Sequence, residues 1–283
     1  MIEKAGRLWG FTPDNGALLW KIMFLEPDLV VCENRFTGEM AASFTCLSLR
    51  SGKEILRDFT LGAGDHATNP EDRMTGLETT RGSLFYIHGY QRDSPEHAGL
   101  WAIDPLKGCV TWARPEVAFV GHLEEGMLVY SAGSFAGFPE RNYMLLDALT
   151  GEDREVIGQD ARRANTLRAE AQDDAEMQNV LLPRSDLEGE MAIGNDDSSN
   201  AGLSGSILRE YIEHQGISVS VAHEKSKRGK GFDAGIRAFC DGKLLYQDTL
   251  AEGTVAPCMN YFLLRGVTLY YIRNMNELIA VHL

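Results

Sequence analysis

The sequence predicts an all-β protein, a β-propeller of five four-stranded blades, and three observations lead there. A strand–turn–strand unit recurs with glycine in its turn, β-rich runs stand ahead of most copies, and both ends of the chain are apolar and strand-like. Residues 8–20 (LWGFTPDNGALLW) align without a gap on residues 100–112 (LWAIDPLKGCVTW), matching Trp9 with Trp101, Trp20 with Trp112 and Gly16 with Gly108. Weaker copies are FTCLSLRSGKEIL from Phe44, YMLLDALTGEDRE from Tyr143 and IRAFCDGKLLY from Ile236. Each reads as a strand, a tight turn with glycine in the left-handed region, and a second strand.

Residues 29–36, 83–90, 126–133 and 217–224 supply a strand upstream of four copies, and a further strand such as VAFVGHLE (117–124) precedes these. The unit is thus about four strands in roughly 40 to 45 residues, the size of a propeller blade. Turn glycines at positions 16, 52, 108, 151 and 242 mark five units, with six blades as the alternative. The C-terminal run 261–283 brings strands without the turn unit, whereas residues 8–20 have the unit with nothing ahead of it. The N- and C-terminal strands are therefore expected to complete one blade together, which hides sheet edges that would otherwise template aggregation. Residues 1–283 read as one domain.

Residues 158–206 break the rhythm. Ala161, Ala164, Leu167, Ala171 and Ala175 recur at helical spacing, and GNDDSSNAGLSGS (194–206) has the composition of a loop. With ten acidic and four basic residues the segment reads as an acidic, partly helical and solvated insertion between blades.

The 283 residues are 44% hydrophobic and 24% charged, values of a soluble globular protein. The start MIEKAGRLWGF does not read as a secretory signal, and no apolar run approaches the ~20 residues of a membrane span. Cys32, Cys46, Cys109, Cys240 and Cys258 are odd in number and form no C-x-x-C pair, which points to reduced thiols and a cytoplasmic location. A net charge of −14 argues against nucleic acid as a partner, because phosphate binding needs a positive field.

The unit WAIDPLKGCVTW resembles the quinoprotein-type (PQQ-like) propeller repeat, whose signature is an apolar strand, Asp, a turn with Thr-Gly or Lys-Gly, and Trp. LLDALTGED lacks the Trp and CLSLRSGKE lacks the Asp. The overall layout also resembles an uncharacterised propeller family known only as a domain of unknown function. These resemblances imply a fold and no activity.

GAGDHA (62–67) fits a dinucleotide fingerprint in spacing, but TNPEDRMTG follows with Pro70 and Gly76 and cannot open the helix that such a site requires. There is no P-loop, H-E-x-x-H or G-x-S-x-G. No catalytic group and no cofactor is implied. His88, His97 and His223 fall near strand ends on one predicted face and form a candidate metal trio, against the simpler reading that each bonds a neighbouring loop. His122 falls in a predicted innermost strand.

The loops joining second to third strands carry seven cationic against six acidic residues in an otherwise acidic chain. Arg35, Arg92, His97, Phe135, Phe138, Arg141, Lys227 and Arg228 are the candidates for a partner or ligand face, with aromatic and arginine anchors of the kind that carry interface energy. The expected function is a non-enzymatic interaction scaffold for an unknown protein or a small anionic ligand, with no membrane partner. The alternative is a small-molecule-binding, hydrolytic or oxidoreductase propeller with its ligand at the mouth of the channel. A glycosidase of that kind would use carboxylates such as Glu78 and Glu124.

Overall fold

The computed structural model describes residues 5–36, 38, 41–62, 74–91, 96–185, 208–227 and 231–283. Strand β1 (Gly6–Phe11) comes first. Next are β2 (Leu18–Leu25), β3 (Leu29–Phe36), β4 (Ala41–Ser48) and β5 (Glu54–Phe59), then β6 (Thr75–Arg81), β7 (Leu84–Tyr90), β8 (His97–Asp104) and β9 (Cys109–Arg114). The third group is β10 (Val117–Leu123), β11 (Gly126–Phe135), β12 (Phe138–Leu146) and β13 (Asp153–Gly158). Helices α1 (Ala161–Glu170) and α2 (Asp174–Met177) and the short strands β14 (Val180–Leu181) and β15 (Arg184–Ser185) follow. The chain ends with β16 (Leu208–His214), β17 (Ile217–Lys225), β18 (Phe232–Cys240), β19 (Lys243–Thr254), β20 (Phe262–Arg265), β21 (Thr268–Arg273) and β22 (Glu277–His282).

The described strands form five antiparallel sheets of four or five strands, four of them built from strands consecutive in sequence and the fifth adding β1 and β14 to β20–β22. That sheet count and topology are those of a five-bladed propeller, not a six-bladed one. Residues 15–178 form one compact unit holding β2–β5, β6–β9 and β10–β13. Residues 1–14 and 179–283 form the other, with sheets β15–β19 and β1-β22-β21-β20-β14. The chain ends do share a sheet: β1 pairs with β22, and Arg7 bonds Glu277 at 2.6 Å.

In the first unit β7 shows why these runs are strands. Its alternate residues leave opposite faces of the pleat. Phe85 and Ile87 enter a core with Val31, Phe44 and Cys46, while Leu84 and Tyr86 enter a second core with Met127, Val129 and Leu146. Burying a strand on both faces requires apolar residues at consecutive positions. In the second unit one core joins Val219, Val221 and Ile236 to Leu264, Tyr271 and Ile279.

The repeated turn has a physical basis. Asp104 accepts from Leu106 N and Lys107 N, and Asp147 accepts from Leu149 N and Thr150 N. The glycine closing each turn, Gly108 or Gly151, has φ of 64° or 72° and donates its N–H to the carbonyl of that aspartate at 2.8 Å. Trp112 Nε1 then donates to Ala148 O at 3.0 Å, fastening one sheet to the turn of the next.

One copy is misread by its sequence. Residues 8–20 are not a hairpin, because β1 is the last strand of one sheet and β2 the first strand of another. The turn between them carries a 3₁₀ segment, Asp14–Gly16, and Gly16 at φ 68°, so the same residue types turn the chain between sheets.

Of residues 158–206 the structure describes 158–185, and this part holds α1 and α2 and packs against the strands around it. Helix α1 buries Ala164 and Leu167, and Gln172 N donates to His122 O on β10. Gln178 accepts from Phe24 N at 2.9 Å and donates to Thr80 Oγ1 at 3.0 Å, tying the segment to β2 and β6. Within the other unit β14 pairs with β20 and β15 with β16. First-strand edges that would be open are thereby covered.

Candidate metal-binding site

The first strands of the three sheets in residues 15–178 share a defect that the period-2 pattern conceals. Each takes one extra residue in its pairing with the second strand: Trp20 in β2, Glu78 in β6 and Val120 in β10. A bulge re-aims the side chain it carries and recurs beside functional sites. In β6 it directs Glu78 toward two histidines.

His88 stands on β7 opposite a second irregularity, where β8 contains Gly99 at φ 80°. His97 begins β8. The Glu78 Oε2 atom lies 2.7 Å from His88 Nδ1 and 3.0 Å from His97 Nδ1, and all three ligand-type atoms fall within 4.8 Å of one another. The two imidazoles stack at 3.5 Å with 9° between their planes. Parallel rings cannot both align a nitrogen with one oxygen. His97 makes the hydrogen bond, and neither ring nitrogen of His88 has a hydrogen-bond partner although the residue is only 3% exposed. Burial alone would raise the Glu78 carboxyl, but the imidazoles of His88 and His97 outweigh it and hold the group at about 2.

The surroundings are built from neighbouring strands. The Tyr90 ring meets His88 at 4.8 Å and His97 at 5.2 Å, edge-on to both. Gly76 stands across from His88, where a Cβ would come within 2.6 Å of Nε2. Arg35 donates to Tyr90 Oη at 2.7 Å and to Glu33 Oε1 at 2.6 Å, and its guanidinium lies 4.0 Å over the Trp20 ring. Glu33, fully buried, also accepts from Leu77 N at 2.9 Å, while Lys21 donates to the carbonyls of Leu77 and Glu78. Deeper in, Thr79 Oγ1 bonds both His122 Nε2 at 2.6 Å and Asp174. Burial raises the Asp174 carboxyl, opposed by the Thr79 hydrogen bond and Lys21.

The residues singled out from sequence scatter among different roles. His88 and His97 come together, with Glu78 as their third neighbour. His223 does not complete a trio: it is buried and bonds Glu210 at 3.0 Å. Arg35 is half-buried in an ion pair and not a free docking residue. Arg141 pairs with Glu96, which also accepts from Tyr130 at 2.7 Å. Phe135 and Phe138 close the β11–β12 hairpin and are 71% and 74% exposed. Lys227 is exposed in a turn; Arg92, Arg228 and most of GAGDHA lie outside the described residues. Glu124 is exposed in the β10–β11 turn, where its carbonyl accepts from Arg81. Glu33, Tyr90, Lys21 and Asp174 carry no sequence signal, because what joins them is the bulged register. Among the described residues no helix is long and apolar enough to cross a membrane.

Comparison with known proteins gives little at the level of sequence. No family model matches, which leaves the PQQ-like and domain-of-unknown-function resemblances without support, and no curated protein sequence matches. Solved structures do match along most of the chain. One is described as belonging to the GH130 family of mannoside phosphorylases, containing glycoside hydrolases that target β-1,2 mannosidic linkages in Candida mannan. It has 10% identity, covers 95% of this chain and 85% of its own, and has a TM-score of 0.33. A Bacteroides ovatus protein provisionally described as a glycoside hydrolase has 12% identity, 96% and 87% coverage and a TM-score of 0.32. A Bacteroides thetaiotaomicron protein provisionally described as a glycosidase has 11% identity, 96% and 93% coverage and a TM-score of 0.32. These descriptions are of enzymes, against the expectation of a non-enzymatic scaffold. Similarity this low carries neither substrate nor mechanism to this chain.

Proposed function

We propose that this chain is a metal-dependent enzyme for a small molecule, with Glu78, His88 and His97 holding one divalent transition-metal ion. The observation that supports it is the convergence of three donors from three adjacent strands at a buried histidine whose Nδ1 meets only the Glu78 carboxylate, without hydrogen-bond alignment, and whose Nε2 has no partner. A buried polar group without a hydrogen bond is costly, and a metal bond removes that cost. The two N–O distances, 2.7 and 3.0 Å, are a few tenths of an ångström short of the roughly 3.0 to 3.4 Å between cis ligands of one zinc ion, and one of the stacked imidazoles must also turn out of parallel for both to face the ion.

Two imidazoles and one carboxylate are a donor set for zinc or iron(II), and three protein ligands leave positions for water and substrate. A structural site would close with a fourth ligand. His97 is the exposed edge, its side chain 38% accessible, so substrate would approach from that side. Once bound, the ion would polarise a substrate oxygen and lower the pKa of a coordinated water, the chemistry of metal-assisted hydrolysis. Glu78 enters already ionised, Tyr90 and Gly76 hold the His88 ring, and Lys21 fixes the backbone of the Glu78 bulge through two carbonyls.

The test is zinc, manganese and iron(II) titration of chelator-treated protein by calorimetry. One ion per chain is expected, with a rise in Tm, and both are lost in Glu78→Gln and His97→Ala variants that keep their β-sheet circular dichroism. Folded wild-type protein that binds none of the three ions sinks the proposal.

A further inference from the structure

A cavity of about 180 Å³ is lined by Phe119, Val120, Tyr130, Arg141, Tyr143 and Arg168, and Glu96, which bonds two of these residues, directly precedes His97. Its polar groups are two guanidiniums and two phenols. Arg141 lies 4.7 Å over the Tyr130 ring and is paired on one edge with Glu96. Arg168 comes from the last turn of α1 and, among the described residues, its side chain has no ion pair or hydrogen bond. Two guanidiniums against one carboxylate leave a charge of +1, in a chain of net charge −14. Such a local reversal of sign draws in anions.

We propose that this cavity binds an anionic group, a carboxylate or a phosphate, on the molecule processed at Glu78, His88 and His97. As a substrate site it rests on the metal-dependent reading; as an anion site it does not. Guanidinium forks match the oxygens of carboxylate and phosphate, and the Tyr143 phenol adds a further donor. Glu96 already shows the pairing: its carboxylate takes Arg141 and the Tyr130 hydroxyl together. Arg168 offers the equivalent bond to an incoming anion.

Size narrows the ligand. An enclosed cavity of about 150 Å³ accepts benzene, so the space here is enough to seat one ring-sized charged group. The Phe119 and Tyr143 rings supply an apolar wall for such a group. Position links the cavity to the metal ligands, because Val120 is the bulged residue of β10 as Glu78 is of β6, and Glu96 directly precedes His97.

Inorganic phosphate and benzoate, titrated separately into metal-free protein and followed by calorimetry, test the assignment. At least one probe should bind, and Arg168→Ala, on an exposed helix face, should weaken it roughly tenfold or more. Preference for benzoate identifies a ring carboxylate, and preference for phosphate a phosphoryl group; either supports the site. Zinc affinity should be unchanged in Arg168→Ala, whereas Glu78→Gln should lose zinc and keep the anion. No binding of either probe, or binding indifferent to Arg168→Ala, overturns the anion site. Anion binding without zinc binding overturns the metal reading alone.

Discussion

Glu96 and His97 are consecutive, yet their side chains serve two different clusters: Glu96 joins Arg141 and Tyr130, and His97 joins Glu78 and His88. Neighbouring residues of an extended chain point to opposite sides. The start of β8 is therefore the hinge between a cationic cavity and a set of metal-type donors, and it fixes their separation without any long side chain.

Gly76 leaves no room for added bulk beside His88. A methyl group there would stand 2.6 Å from His88 Nε2 and 3.0 Å from Tyr90 Oη, so the imidazole must turn. Gly76→Ala is expected to fold and to bind zinc about 10- to 100-fold more weakly, as for the loss of other groups that orient a ligand. Competition with a chromogenic chelator measures this, and unaltered affinity would show that His88 is not a ligand.

Gln178→Ala removes two bonds at once, to Phe24 N and Thr80 Oγ1. The expected cost is about 1 to 3 kcal/mol of unfolding free energy by urea titration. Hydrogen exchange should quicken at Phe24 and leave β8 unchanged.

His122 makes the protein sensitive to mild acid. Burial, assisted by the Arg81 charge, lowers its pKa from 6.5 to about 4. The folded state thus resists protonation, so stability is complete above pH 6.5 and falls as pH drops toward 4. Asp174, 3.8 Å from Nε2, and the Thr79 hydroxyl face the same ring. A carboxylate there favours the charged imidazole, so the loss stays below the ~3 kcal/mol that such a shift allows. Urea midpoints across this range should slope down in the wild type and flatten in His122→Gln.

Ala148 O accepts from both Tyr86 Oη at 2.9 Å and Trp112 Nε1 at 3.0 Å. Tyr86→Phe or Trp112→Phe leaves the carbonyl one donor and should cost about 1 kcal/mol each. The double variant removes both donors from a buried acceptor and should cost more than the sum, with a coupling of about 0.5 kcal/mol or more in a double-mutant cycle. Strict additivity would mean that water replaces them.

The strands were legible because their signals are local. LVVCENRF is β3 end to end, and the turns after Ser48, Asp104 and Asp147 each carry a positive-φ glycine that the pattern exposes. What failed was pairing. Residues 8–20 carry the hairpin signature without the hairpin, because residue type says where a chain turns and not which strands then bond. The bulges at Trp20, Glu78 and Val120 were invisible for a related reason: one extra residue leaves the apolar alternation readable on either side. Arg35 looked like a surface cation because its partner Glu33, two residues earlier on the same strand face, is buried through a bond to Leu77 N on another strand.

The union of β1 with β22 sets a timetable for synthesis. Arg7 and Glu277 are 270 residues apart. At about 5 to 20 residues per second a ribosome needs roughly a quarter of a minute to a minute to cover that distance. Throughout that interval the first strand has been made and its hydrogen-bonding partner has not. The β2–β13 sheets are complete much earlier and draw on neither terminal strand, so they can form while the nascent chain still carries an unpaired leading segment. The sheet that joins β1 to β22 forms only once β22 has left the ribosome, and until then Trp9 and Phe11, both buried in the folded structure, stand available to chaperones.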